Sequence, residues 1–77
     1  MKRVKKTDPD GINKDRAAWA GKALATFQHT TRTDDGDVLK DLLCDLMHWA
    51  DQNGQEFDVA LDAAQYHYRA ETGRDTK

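Results

Sequence analysis

Residues 37–54 read DVLKDLLCDLMHWADQNG. At about 100° per residue, Leu39, Leu42, Leu43, Leu46, Met47 and Ala50 gather on one side of a helix, with Val38 and Trp49 at its border. Asp37, Asp41, Cys44, Asp45, His48 and Asp51 fall on the other side. A strand would need strict alternation, and the adjacent pairs Leu42-Leu43 and Leu46-Met47 break it. The stretch is therefore an amphipathic helix. Asp34 is placed to cap it, with Asp35 and Asp37 near its positive end. Asn53-Gly54 is a left-handed stop signal.

Working outward, a helix upstream is predicted to start at the N-cap Asn13, with Asp15 in its first turn. Trp19, Ala20, Ala23, Leu24 and Phe27 make its apolar face, with Trp19 expected to anchor the core. Gly21 within it costs on the order of 1 kcal/mol relative to alanine, unless it permits a close helix approach. Thr30-Thr31 and the polar run beyond end this helix near Arg32. Downstream, a third helix is predicted from about Asp58, with Phe57 just outside it. Phe57, Ala60, Leu61, Ala64 and Tyr68 form its core stripe. Val59, Ala63, Tyr66 and Ala70 form a second apolar stripe nearly opposite, which a surface helix seldom needs. That second stripe is expected to meet a second copy of the chain or another partner. No alternating β-branched run signals a strand. The expected fold is all-α, a compact bundle of three helices. Residues 1–12 are expected to be a flexible basic arm, 13–73 the single helical domain and 74–77 a frayed tail.

At 77 residues the chain is one domain at most, of marginal stability as a monomer. Its single cysteine, Cys44, excludes an internal disulfide, and no cysteine pair has zinc-site spacing. The basic MKRVKK is followed by polar TDPDG, so no signal peptide is expected. No apolar stretch approaches membrane-spanning length, and the expected location is the cytoplasm. The formal net charge of −2 conceals an asymmetry. Residues 1–16 carry six basic side chains against three acidic ones. Residues 33–62 carry nine acidic side chains against Lys40 alone. Such a separation speaks to partners more than to fold.

Asp37, Asp41 and Asp45 repeat every fourth residue, and His48 follows one turn later. Carboxylate and imidazole one turn apart can ligate a divalent metal. Alternatively, the row is simply the solvated side of the helix, or a surface for a partner. Like charges four apart repel slightly, and a purely structural helix would interleave lysines, which favours a use for the charge. Asp37, Asp41, Asp45, His48 and Asp51 are thus the candidate partner-binding face. A nucleophilic cysteine needs a base and an electropositive setting, whereas Cys44 lies between Asp41 and Asp45. No catalytic residue, metal site or cofactor is assigned. Lys2, Arg3, Lys5 and Lys6 could contact nucleic-acid phosphates. No recognition helix follows them, however, and the acidic helix would repel a duplex, so direct nucleic-acid binding is not expected.

The run LKDLLCDLMHWADQNGQEFDVALDAA resembles the second half of all-helical nucleotide pyrophosphohydrolases of the MazG type. The resemblance implies magnesium held by E-x-x-E on one helix and E-x-x-D on the next. Here Val38 and Leu42 stand three residues before Asp41 and Asp45, and no acid lies between Arg16 and Arg32. Two-metal chemistry needs several converging carboxylates, so the likeness implies shared helix packing. A divergent pyrophosphohydrolase remains the enzymatic alternative. From Ala17 to Thr72, AAWAGKALATFQ, DLLCDLMHWADQNGQEFDVAL and HYRAET resemble small helical proteins of bacterial plasmids, integrative elements and phages. DLMHWAD, FD-x-AL and HY-x-AE carry this resemblance. It implies an accessory protein that binds a larger host machine, as anti-CRISPR and anti-restriction proteins do. The resulting expectation is a non-catalytic protein-interaction module, not an enzyme, that inhibits or modulates a host nucleic-acid-handling complex. A homodimer, and a small dimeric regulator using its basic arm on nucleic acid, are the accompanying alternatives.

Overall fold

The computed structural model describes residues 11–74, which fold as three helices without a strand among them: α1 (Ile12–Thr31), α2 (Val38–Gln52) and α3 (Phe57–Thr72). Residues 1–10 of the expected arm, with Lys2, Arg3, Lys5 and Lys6, and 75–77 of the expected tail lie outside the described residues, whereas Ile12, expected in the arm, opens α1. The three helices are those the apolar periodicities predict, but several ends differ. The residue before α1 is Gly11, at φ 74°, and Asp15 N–H donates to its carbonyl at 3.1 Å. Asn13 is inside the helix rather than at its cap. The cap residue of α2 is Asp37, not Asp34, because Asp34–Asp37 closes a turn with Asp37 N–H donating to the Asp34 carbonyl at 2.9 Å. The third helix begins one residue early, at Phe57.

All three helix stops are left-handed, that of α3 at Gly73 with φ 71°. At the end of α2, Gly54 takes φ 67° and Gln55 N–H donates back to the Ala50 carbonyl at 3.0 Å. This Schellman closure satisfies an otherwise orphaned carbonyl, and glycine adopts it without the steric cost of a Cβ. At the end of α1, Arg32 takes φ 60° and its N–H donates to the Gln28 carbonyl at 2.7 Å. A non-glycine residue there carries roughly 1–2 kcal/mol of strain. A Cβ built at Gly21 would meet nothing within 4 Å, so no close helix approach accounts for that glycine. Arg32→Gly and Gly21→Ala should therefore each stabilise the fold, by about 1 kcal/mol. Chemical denaturation would reveal a higher midpoint at unchanged slope.

The ends of the helices reveal how they are arranged. In an up-down-up bundle the start of α1 and the finish of α3 would be separated by about 25 Å or more, at 1.5 Å per helical residue. Instead, Asn13 Nδ2 donates to the Glu71 carbonyl at 2.8 Å, and Arg16 pairs with Glu71 at 3.7 Å. The chain returns to its own beginning, so the helices run as the sides of a triangle.

Burial follows the corners. Leu24, Phe27 and Gln28 of α1 are half-buried, as are Val38, Asp41 and Leu42 of α2, near the first corner. Gln28 ties that corner, donating through Nε2 to the Thr33 carbonyl at 2.9 Å and to Asp35 Oδ1 at 2.6 Å. Buried Ala50 and half-buried Phe57 mark the second corner, and half-buried Asn13, Glu71 and Thr72 the third. The middles of the helices, residues 14–23, 43–49 and 58–70, are exposed throughout.

The expected compact core is thus absent from the single chain. Of the predicted stripes, only Ala50 is buried among the described residues. Trp19, expected as an anchor, is 61 % exposed. The physical reason lies in the turns, which set successive helices end to end and leave most of each apolar face without a neighbour.

Candidate interaction surface

The polar side of α2 is built as its spacing dictates. Asp37, Asp41, Asp45, His48 and Asp51 occupy about 120° of the helix circumference. All are exposed except Asp41, which is half-buried beside the first corner. Lys40 is the only lysine or arginine on this helix. Its Nζ donates to Asp41 Oδ1 at 2.9 Å and lies 4.0 Å from Asp37 Oδ1. The hydrogen bond to Asp41, then the charges of Asp41 and Asp37, raise the lysine pKa above its ordinary 10.5. Because the folded value is the higher one, any stability from the pair is complete below about pH 10.5 and lost as pH rises through the folded value. The group is fully exposed and salt-screened, so it acts as a local tether.

Lys40 cancels one charge of four, and the sector keeps a net −3 with His48 neutral. Among the described residues, neither Asp45 nor Asp51 has an ion-pair partner. These two acids sit at the edges of the sector, against the apolar half. Asp37, His48 and Asp41 occupy its middle. Cys44 is a free, exposed thiol on the same side. No three His, Cys, Asp or Glu side chains among the described residues converge as metal ligands would. No described helix is long and apolar enough to cross a membrane.

The second stripe of α3 is open to solvent, as a partner face would be. Val59 is 63 % and Tyr66 64 % exposed, and Ala63 and Ala70 are exposed as well. The Tyr66 ring meets His67 edge-on, with centroids 5.7 Å apart. The first stripe, expected to be core, is open too: Leu61 is 42 % and Tyr68 40 % exposed. The distinction between a core side and a partner side of α3 therefore does not hold within one chain.

Two features lie beyond the reach of sequence periodicity. One is the clasp between Asn13 and Glu71, 58 positions apart. The other is a groove of about 250 Å³ at the second corner, lined mainly by Leu46, Trp49, Ala50, Phe57 and Ala60. Around the same corner, Met47, Asp51, Glu56 and Asp58 line an acidic cleft of about 340 Å³. The apolar members of the groove were legible as stripe residues; that two helices turn them toward one another was not.

Compared with known proteins, the chain matches no family model, no curated protein and no solved structure.

Proposed function

We propose that this chain is a non-catalytic protein-interaction module whose acidic α2 face binds a basic, phosphate-accommodating surface of a nucleic-acid-handling complex and thereby inhibits or modulates it. One observation carries this reading: five polar residues at helical spacing, Asp37, Asp41, Asp45, His48 and Asp51, share one exposed sector with only Lys40 opposing them. Carboxylates at i, i+4 and i+8 stand about 6 Å apart along the axis and about 40° apart around it, a slowly winding line of negative charge. A surface that holds a phosphate backbone with lysine and arginine is the natural complement of such a line. Electrostatic attraction of this kind accelerates encounter and makes association strongly salt-dependent. The likeness to small helical proteins of mobile elements supplies the setting, an accessory protein directed at the cytoplasmic machinery of a host, as anti-CRISPR proteins are.

Asp37→Asn together with Asp41→Asn removes two of the three charges of that line while keeping side-chain size. Such a double variant should retain the helical circular-dichroism spectrum. It should also lose at least about tenfold in affinity for the nucleic-acid-binding protein that the parent chain captures. The parent's capture should weaken as salt is raised from 50 to 300 mM. Equal capture by both forms, or capture indifferent to salt, would overturn the proposal.

A further inference from the structure

We infer that the apolar faces of α1 and α2 left open by the triangle are covered by a second copy of this chain, packed about a two-fold axis with α1 of each copy against α2 of the other. Eleven large apolar side chains are at least 40 % exposed, while Ala50 alone is buried among the described residues. A chain of this size is marginal even when it buries about 60 % of its unfolded surface. Its cover must be present whenever the chain is folded. A second copy meets that condition, whereas a host partner encountered after folding does not.

The amount of surface agrees. Of the eleven exposed side chains, Ile12, Trp19, Leu39, Leu43, Leu46, Met47 and Trp49 belong to α1 and α2. Aromatic side chains carry about 150–250 Å² each, so the exposed parts of the seven come to on the order of 700 Å². A standard stable interface takes about 800 Å² from each partner. Contiguous apolar patches of this extent on a monomer mark interaction surfaces.

Charge selects which faces meet. On α1 and its cap, Lys14, Arg16, Lys22 and Arg32 outnumber Asp15. On α2 and its cap, four aspartates outnumber Lys40. In a two-fold dimer every contact occurs twice with the roles exchanged. Contact of α2 with α2 would therefore oppose two acidic faces, while α1 on α2 satisfies both copies at once. Trp19 is the exposed aromatic of the basic helix, with exposed Ile12 two turns before it on the same side. The groove beside Leu46, Trp49 and Phe57 is the apolar recess that it fills on the second copy. Lys22, about 60° round α1 from Trp19, then approaches the border of the apolar half of α2 that carries Asp45 and Asp51. Asp37, Asp41 and His48 stay outward, so the middle of the acidic sector remains open to the proposed partner while its edges, Asp45 and Asp51, border the dimer contact.

Reciprocal charge reversal tests this. The wild-type chain should sediment near twice its 8.7 kDa at 100 μM. One variant carries Lys22→Glu, the other Asp45→Lys and Asp51→Lys. Each alone opposes like charges in both halves of the dimer and should lose dimeric mass and helix content. Mixed one to one, each α1 meets an α2 of opposite charge, and both dimer mass and helical signal should return. A wild-type chain that is monomeric at 100 μM, folded or unfolded, overturns the inference, as does an assembly larger than a dimer. Variants that dimerise alone, or that fail to recover on mixing, overturn the pairing of α1 with α2.

Discussion

The melting midpoint of this chain should climb by on the order of 5 °C for each tenfold rise in its concentration. When folding and dimerisation are one event, dissociation contributes concentration to the unfolding equilibrium, and a tenfold change is worth about 1.4 kcal/mol per dimer. Unfolding entropy near 60 °C is about 2.1 cal/mol/K per residue, or roughly 0.3 kcal/mol/K for two chains of 77 residues. The quotient is the expected slope. Between 1 and 100 μM the midpoint read by circular dichroism at 222 nm should move by about 10 °C. Dilution should also lower helix content well below the melting range, because three helices of 15 to 20 residues are marginal without tertiary cover. A monomer would give coincident curves at every concentration. The same experiment on Trp19→Ala should start from a lower midpoint, since the chain alone leaves that side chain 61 % exposed and only a covering surface gives it weight.

How much of this was legible in the sequence divides along a physical line. Signals that act within one helical turn were readable. Asn53-Gly54 specified the end of α2 because a left-handed residue there needs no tertiary help. The leucine spacing specified which side of α2 is apolar. Signals that depend on a choice among near-equivalent residues were read less well. Asp34, Asp35 and Asp37 are all acceptable before α2, and the turn closed on the Asp34 carbonyl decides for Asp37. Asn13 resembles a cap by type, but its side chain is engaged by the Glu71 carbonyl and by Arg16. Nothing in local sequence anticipates that competition.

The direction in which each turn sends the next helix was not legible at all. A periodic stripe announces that a face will be covered, without saying by which element. Leu61 and Tyr68 have the spacing of core residues and remain substantially exposed, because α3 closes the triangle instead of lying along α1 and α2. The acidic sector fared better, since Asp37, Asp41, Asp45, His48 and Asp51 share a side by helical geometry alone, whatever surrounds α2. The second stripe at Val59, Ala63, Tyr66 and Ala70 is exposed within one chain, but so are Leu61 and Tyr68 of the first, so exposure alone does not set the two apart.

The largest single-site effect should come from the smallest core residue. Ala50→Asp is expected to destabilise the fold by about 3–5 kcal/mol, the cost of an uncompensated charge in a buried position. Ala50 is 3 % exposed, and its carbonyl accepts from both Asn53 N–H at 3.2 Å and Gln55 N–H at 3.0 Å. It therefore stands where α2 ends, where the Schellman turn closes and where Phe57 begins α3. A small side chain is required there because the corner brings two helices together within a four-residue connection. Ala50→Leu should consequently cost about 1–3 kcal/mol through overpacking, although it adds apolar volume to an apolar face. Asp62→Asn, exposed on α3, should change stability by less than about 0.5 kcal/mol. Urea denaturation at one fixed protein concentration compares the three directly. An Ala50→Asp variant as stable as Asp62→Asn would mean that the second corner is not what holds α2 to α3. With total stabilities of only about 5–15 kcal/mol for folded domains, loss of that corner should suffice to unfold a chain so thinly packed.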